Sequence, residues 1–156
     1  MLRNALVGPR LALAAASLSA SLLAVSATEA TTWQFTDVTA GAGITLPHAM
    51  QNLNLPEERM SGGVACGDYN NDGWLDLYHI RGNSGTNVLY RNNGDGTFSD
   101  QAAATGVDVG GQIQMGATFA DWTGDGRLDL FLGGAAGTRL KNFEQQIDGT
   151  FKQVTD

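Results

Sequence analysis

The chain repeats itself at an offset of 53 residues, and this repeat limits its possible folds more than any other feature. The recurring residues of the first unit are Gly63, Asp68, Asp72, Gly73 and Asp76, which return as Gly116, Asp121, Asp125, Gly126 and Asp129. The same offset carries residues 95–98 onto residues 148–151, both Asp-Gly-Thr-Phe. Self-similarity at a fixed period predicts two copies of one supersecondary module.

Each unit is predicted to hold four short strands. They cover residues 64–67, 76–80, 87–91 and 97–100 in the first unit, and residues 117–120, 129–132, 139–143 and 150–154 in the second. The Asn/Gly-rich residues 92–96 favour a hairpin turn, since Asn and Gly tolerate positive φ. Four strands make one propeller blade. The predicted fold class is therefore all-β, with about two four-stranded β-propeller blades.

Residues 35–39 resemble the residues that end both units, which predicts a leading outer strand over residues 33–38. Propellers usually close with about 4 to 8 blades. We therefore expect a fragment of a larger propeller whose further blades are missing. Phe119 and Phe131 are expected on an uncovered face of the second blade. Such apolar surface drives association, so the isolated chain is expected to be marginally stable and to oligomerise or aggregate.

The N-terminus has the layout of a secretory signal peptide. Arg3 and Arg10 precede an apolar run over residues 11–25, and small residues follow. The run is shorter than the ~20 residues of a membrane helix and contains serines, so a permanent anchor is the weaker interpretation. We predict a signal peptide over residues 1–27, with cleavage after Ala27 or Ala30, and export to the periplasm, cell surface or medium. Residues 28–60 are then the leading strand and linker, 61–109 the first blade and 110–156 the second.

The charge of the chain argues against a nucleic-acid partner. Removing the two arginines of the signal peptide changes the net charge from −7 to −9. A phosphate-binding chain needs a basic face, whereas these acidic residues fall in two clusters that suggest bound cations. Cys66 is the single cysteine, so no intrachain disulfide is available, and its apolar neighbours predict a small buried strand residue.

Both units carry an acidic loop with the oxygen spacing of a calcium site. Loop positions 1, 3, 5, 7 and 9 are Asp68, Asn70, Asp72, Trp74 and Asp76 in the first unit, and Asp121, Thr123, Asp125, Arg127 and Asp129 in the second. Calcium takes about 6 to 8 oxygen ligands. Side chains at positions 1, 3, 5 and 9, the carbonyl at position 7 and water would supply them. Two Ca²⁺ sites are predicted, the second weaker because of Thr123.

Two other interpretations of these loops are possible from their residue types. An EF-hand requires flanking helices and a bidentate Glu at position 12, where this chain has His79 and Leu132. The flanking residues instead alternate between apolar and polar, as in strands. Asp at position 9 therefore takes the role that the position-12 Glu has in an EF-hand, as the ligand that closes the site. An Asp/Gly-rich turn without metal is the other alternative. Two copies that keep the same oxygen pattern favour the metal site.

The residues that carry these patterns resemble the FG-GAP/VCBS repeat family, including bacterial relatives of cartilage acidic protein that often carry an ASPIC/UnbV domain. The matching segments are residues 35–44, 62–73 and 89–98. The resemblance implies a seven-bladed, integrin-α-like propeller with calcium between the first two strands of a blade. It also implies a role in adhesion or ligand display. No ASPIC/UnbV segment is recognised in this sequence.

The pattern predicts no catalytic residues and no cofactor besides calcium. The chain has two histidines, His48 and His79, and no nucleophile elbow, so we predict that it is not an enzyme. The predicted function is an exported calcium-binding module with a structural, adhesion or ligand-binding role and a protein or glycan partner. One alternative is a calcium-stabilised glycan-binding propeller that stacks sugars on Trp74, Trp122 or Tyr69, although these rings could pack between blades instead. A non-catalytic part of a larger secreted enzyme is less favoured. Residues 47–60 are expected to be a surface loop.

Overall fold

The computed structural model describes residues 33–49, 54, 56–59 and 61–154. The chain divides into two units, Met1–Phe35 and Thr36–Asp156, and the elements below belong to the second. The predicted signal peptide lies outside the described residues. Within the described part of the chain, no helix is long and apolar enough to cross a bilayer.

Among the described residues, eight strands form two four-stranded antiparallel sheets, each with its strands in sequence order. The first sheet contains β1 (Gly63–Gly67), β2 (Asp76–Ile80), β3 (Val88–Asn92) and β4 (Phe98–Asp100). The second contains β5 (Gln114–Ala120), β6 (Asp129–Gly134), β7 (Lys141–Gln145) and β8 (Phe151–Gln153). Two four-residue helices, α1 (Pro56–Arg59) and α2 (Ala102–Thr105), lie in the connections. The all-β prediction of two propeller-type blades is confirmed, and we call these sheets blade 1 and blade 2.

The two blades pack face to face through the alternating side chains of their strands. In β2, Tyr78 and Ile80 are fully buried, while Leu77 and His79 on the other face are half-buried. Strands β1 and β5 lie against each other across the interface. The shared core is formed by Ala65, Tyr78, Ile80 and Leu89 of blade 1 and by Leu130, Leu132, Phe143 and Phe151 of blade 2. The apolar pattern of each strand therefore stabilises one interface between blades.

A buried polar network joins the same two blades. The Tyr78 hydroxyl donates to the Val107 carbonyl at 2.7 Å, and Asn87 Nδ2 donates to the Tyr78 hydroxyl at 3.2 Å. Asn87 Nδ2 also donates to Gln114 Oε1 at the start of blade 2. Burial raises the pKa of Tyr78, so the phenol stays protonated as a donor.

A similar turn completes the outer edge of each blade. Residues 37–44 and 100–107 correspond at an offset of 63, and both begin with an Asp side chain that accepts an amide two residues on, at 2.9 Å. Both contain a glycine with positive φ, Gly43 at 79° and Gly106 at 82°. A Cβ at these glycines would lie 2.9 Å from the Phe98 carbonyl oxygen and 3.3 Å from that of Phe151. Each turn thus seats against the outer strand of the blade that follows it.

Three expectations from the sequence differ from the structure. Residues 33–38 form no strand, because a strand needs a ladder partner and no described residue pairs with them. Cys66 is exposed, since β1 turns Ala65 and Gly67 toward blade 2 and Cys66 toward the opposite face. Phe119 packs against the core between the blades and not on an outer face. Of the linker predicted to be a surface loop, the described residues include the short helix α1.

Candidate metal centre

The first acidic loop joins β1 to β2, and Asp68 holds its shape. The Asp68 carboxylate accepts the amides of Asp72 at 3.0 Å and Gly73 at 2.9 Å. Gly73, at position 6 of this loop, has a φ of 88°, a left-handed conformation that glycine adopts without strain. Asp72 accepts the Trp74 amide at 2.9 Å. The loop therefore curls around its own acidic side chains.

Asp76 closes the first loop from inside the fold. Its side chain is fully buried, and it accepts the amides of Tyr69 at 3.2 Å and Asn92 at 2.8 Å. Burial raises the pKa of Asp76, and the nearby charges of Asp72 and Asp68 raise it further, although the two amide bonds oppose this. The buried carboxylate thus stands in a local excess of negative charge.

The second acidic loop joins β5 to β6 and has the same backbone frame. Asp121 accepts amides from Gly124 at 2.7 Å, Asp125 at 3.1 Å and Gly126 at 2.9 Å. These bonds, led by that from Gly126, lower the pKa of Asp121. Asp129 is fully buried and accepts the Gln145 amide at 2.9 Å, as Asp76 accepts that of Asn92.

The second loop differs from the first because it contains a basic side chain, Arg127, that pairs with one of its carboxylates. The Arg127 guanidinium forms an ion pair with Asp125, and Arg127 Nε donates to the Gln145 carbonyl at 3.1 Å. A guanidinium at this carboxylate competes with a metal ion for the same oxygen. The first loop has no such pair among the described residues, where Asn70 Nδ2 donates to Asp72 at 2.8 Å.

The donor chemistry of the loops fits a hard cation, but their side chains are not drawn together around one point. Among the described residues, no three His, Cys, Asp or Glu side chains are gathered as a metal-holding group. The carboxylates accept hydrogen bonds from loop amides instead. Calcium binding would turn oxygens of Asp68, Asn70 and Asp72 toward Asp76. The first loop is the better fit for calcium, because the charge at Asp76 is unbalanced there. In the second loop, Asp125 is already paired with Arg127.

Two residues of the site were missed by the sequence reasoning. Asn92 and Gln145 are the last residues of the third strand in each blade. Their backbone amides donate hydrogen bonds to the buried carboxylates of Asp76 and Asp129. Gln145 Nε2 also donates to the Tyr69 carbonyl of the first loop at 2.8 Å, which links the two blades. Asn92 and Gln145 correspond at the offset of 53, so the repeat itself held this signal.

The aromatic residues beside the loops fall into two groups. Trp74 and Trp122 are 52% and 40% exposed. Tyr69 is buried and packs against Phe151 with ring centroids 6.1 Å apart, so it is not a surface for sugars. His79 stacks on Tyr90 with ring centroids 6.5 Å apart, and burial lowers the pKa of His79.

Residues 68–132 match the FG-GAP-like repeat family, and this segment contains both acidic loops and strands of both blades. Together with the two repeated blades, this match supports the predicted resemblance to FG-GAP repeat proteins.

The relatives that this chain resembles include cartilage acidic protein 1 of two vertebrates. The Xenopus tropicalis protein is 36% identical over 106 residues, which cover 68% of this chain and 16% of the relative. The Homo sapiens protein is 39% identical over 71 residues, which cover 46% of this chain and 11% of the relative. The matched part is thus less than a fifth of these relatives.

Proposed function

We propose that the chain is an exported, non-enzymatic FG-GAP repeat module that calcium stabilises and that serves adhesion or ligand binding. The observation that carries the calcium part is Asp76, a fully buried carboxylate whose pKa is raised by burial and raised further by the charges of Asp72 and Asp68. Negative charges that act on a buried carboxylate favour the binding of either a proton or a divalent cation. The adhesion or ligand-binding part, with a protein or glycan partner, rests on the match to the FG-GAP-like repeat family. Export rests on the pattern of Arg3, Arg10 and residues 11–25.

Calcium would act as a structural part of the blade. The ion would join the loop between β1 and β2 to the buried end of β2 through Asp68, Asn70, Asp72, the Trp74 carbonyl and Asp76. The second loop would do the same through Asp121, Thr123, Asp125, the Arg127 carbonyl and Asp129, with lower affinity. Extracellular calcium modules typically bind at about 10⁻⁴ to 10⁻³ M, so a constant structural role fits better than a signal.

Calcium should therefore raise the stability of the protein, and Asp72→Asn should reduce the gain. At a 100-fold excess over the dissociation constant, each bound ion adds about 2.7 kcal/mol if the unfolded chain does not bind. Asp72→Asn keeps an oxygen for the Trp74 amide but removes one ligand charge. The measurement is thermal unfolding with calcium and with chelator. Asp108→Asn, at an exposed carboxylate outside the loops, is the control and should keep the full gain. Equal melting with calcium and chelator would reject the proposal.

The gain from calcium should shrink as the pH falls. The pKa of Asp76 is raised above the ordinary value of 3.8, so its protonated form favours folding. This contribution to stability is complete below pH 3.8 and is lost as the pH rises through the raised pKa of Asp76. Calcium binds the ionised form of Asp76, so the gain in stability from calcium should appear over that same rise in pH. Calcium titrations at several pH values test this, and Asp76→Asn should remove the part of the pH dependence that belongs to this group.

A glycan-binding role is the second candidate, and Trp74 favours it. Half of this side chain is exposed beside the first loop. Its indole also lies against the hairpin, since a Cβ on Gly94 would be 2.9 Å from Trp74 Nε1. One part of the ring is therefore held in place while the rest could stack on a sugar. A glycan array probed with the protein and with Trp74→Ala, in millimolar calcium, separates this role from protein binding.

A further inference from the structure

A polar hollow of about 430 Å³ lies at the end of blade 2 that is opposite its acidic loop. It is lined by Gln112, Ala136, Gly137, Thr138, Arg139 and Lys141. These residues lie just before β5 or between β6 and the first residue of β7, whereas the acidic loop lies at the other end of β5 and β6. Small-ligand pockets have volumes of about 300 to 1,000 Å³. The hollow is therefore a candidate ligand site separate from the metal centre.

The repeat shows that a blade does not require the two cations of this hollow. At the offset of 53, Arg139 and Lys141 correspond to Thr86 and Val88 of blade 1. Val88 is the first residue of β3 and is 1% exposed, so an apolar side chain serves at that place in the sheet. Lys141 Nζ donates to the uncharged amide oxygen of Gln153 at 3.2 Å, a bond that positions the ammonium without neutralising it. The described residues that line the hollow include no carboxylate, so its charge favours an anionic ligand.

The turn between β6 and β7 gives the hollow a fixed wall. The Thr138 amide closes this turn with a 2.9 Å bond to the carbonyl three residues earlier, and Ala136 and Gly137 between them have φ values of 51° and 84°. A Cβ on Gly134 would be 2.7 Å from the Arg139 carbonyl oxygen, so the turn lies tightly against the end of β6. Alanine is uncommon in the left-handed region, and such backbone strain is concentrated at functional sites.

The uncharged groups of the hollow match a ligand that has hydroxyl groups as well as a charge. Gln112 Oε1 is buried and has no hydrogen-bond partner among the described residues, so this acceptor lacks a donor. A carboxylate has no hydrogen to donate, whereas a hydroxyl can donate to Gln112 Oε1 and can also bond to the Thr138 hydroxyl. The guanidinium of Arg139 and the ammonium of Lys141 suit a carboxylate. A sugar acid carries both kinds of group.

The position of the hollow argues against a further sheet or a peptide strand as its occupant. Lys141 and Gln153 lie on the same side of their strands as Phe143 and Phe151, which belong to the core shared with blade 1. A sheet stacked on the opposite face of blade 2 would not occupy this hollow. Strand β7 pairs with both β6 and β8, so no open edge is present here for an added strand. The described lining residues also include no large apolar side chain that could form a pocket for a peptide anchor.

We propose that this hollow binds a sugar acid, with the carboxylate held by Arg139 and Lys141 and the hydroxyl groups held by Gln112 and Thr138. The proposal names a ligand class for the ligand-binding role proposed above and rests on that role. It does not require calcium, because the acidic loops lie at the other end of the blades.

NMR titration of the isotope-labelled full chain with D-glucuronate, and with D-glucose as the uncharged probe, tests the site. Glucuronate should bind at least about ten times more tightly than glucose, because glucose lacks the carboxylate. Arg139→Gln and Lys141→Val should each weaken glucuronate binding about two- to fivefold, the effect of an ion pair that solvent reaches. Lys141→Val introduces the residue that blade 1 has at this position, so the sheet should tolerate it. Lys152→Gln, at an exposed position of β8, is the matched control and should bind glucuronate like the wild type.

The other outcomes separate this site from alternatives. N-acetylglutamate amide represents the carboxylate of a peptide, and binding of it as tight as that of glucuronate would contradict a site for sugar acids. So would the absence of glucuronate binding, or binding that both Arg139→Gln and Lys141→Val leave unchanged. Thermal unfolding of the same samples with calcium and with chelator tests the calcium-dependent stability separately. A protein that calcium stabilises but that does not bind glucuronate would reject this site and leave the proposed calcium role in place.

Discussion

Substituting Leu130 by alanine should lower the free energy of unfolding by about 2–5 kcal/mol. Leu130 has no exposed surface, lies on β6 between Phe119 and Phe143 in the register of blade 2, and faces blade 1. Its removal leaves a cavity in the one core that the two blades share. Urea unfolding of the wild type and the variant, at fixed calcium, measures the change.

Leu140→Ala provides the matched control for this substitution. Leu140 is 47% exposed, so the same change in side chain should alter the free energy by no more than about 0.5 kcal/mol. Equal losses at Leu130 and Leu140 would mean that the interface between blades does not determine stability.

Substituting Asn87 by alanine should cost about 2–4 kcal/mol, because it leaves buried polar groups without partners. Asn87 is 1% exposed and bonds to Tyr78 and Gln114, and its Oδ1 accepts the Arg81 amide at 3.2 Å. Within the described residues, Gln114 Nε2 has no partner, so the loss of Asn87 would isolate the whole Gln114 amide.

Gln114→Met tests whether this cost arises in the network. Methionine has a similar volume and no amide, so Asn87→Ala should cost less in the Gln114→Met background than in the wild type. A double-mutant cycle from urea unfolding gives the coupling between the two positions. Fully additive losses would show that the bond between Asn87 and Gln114 does not contribute to this cost, which would then arise from the bonds of Asn87 to Tyr78 and Arg81.

The repeat accounts for most of what could be predicted from the sequence. Two copies of the same Gly, Asp and Leu spacing locate the strands and both acidic loops, because turn chemistry and strand alternation act over short distances. Burial depends on contacts between blades, which the alternation does not assign. Thus Cys66 and Ala65 both belong to an apolar stretch, and only the packing of β1 against β5 decides which is exposed.

The same limit applies to the candidate metal centre. The ligand spacing lies within each loop and was visible in the sequence. The amides of Asn92 and Gln145 that hold the buried carboxylates come from a strand 16 residues away. Tyr69 is removed from the surface by Phe151 of the other blade, which no local pattern of the first loop indicates.

The glycine turns have a consequence for where such a protein can be cut or fused. Val107 belongs to the turn after β4 and is completely buried in the core between the blades. A junction placed at the repeat boundary, between residues 109 and 110, would separate blade 2 from the turn that seats on its outer strand. The portable unit for domain shuffling or protein engineering therefore starts at Asp100 and ends with β8, out of phase with the repeat seen in the sequence.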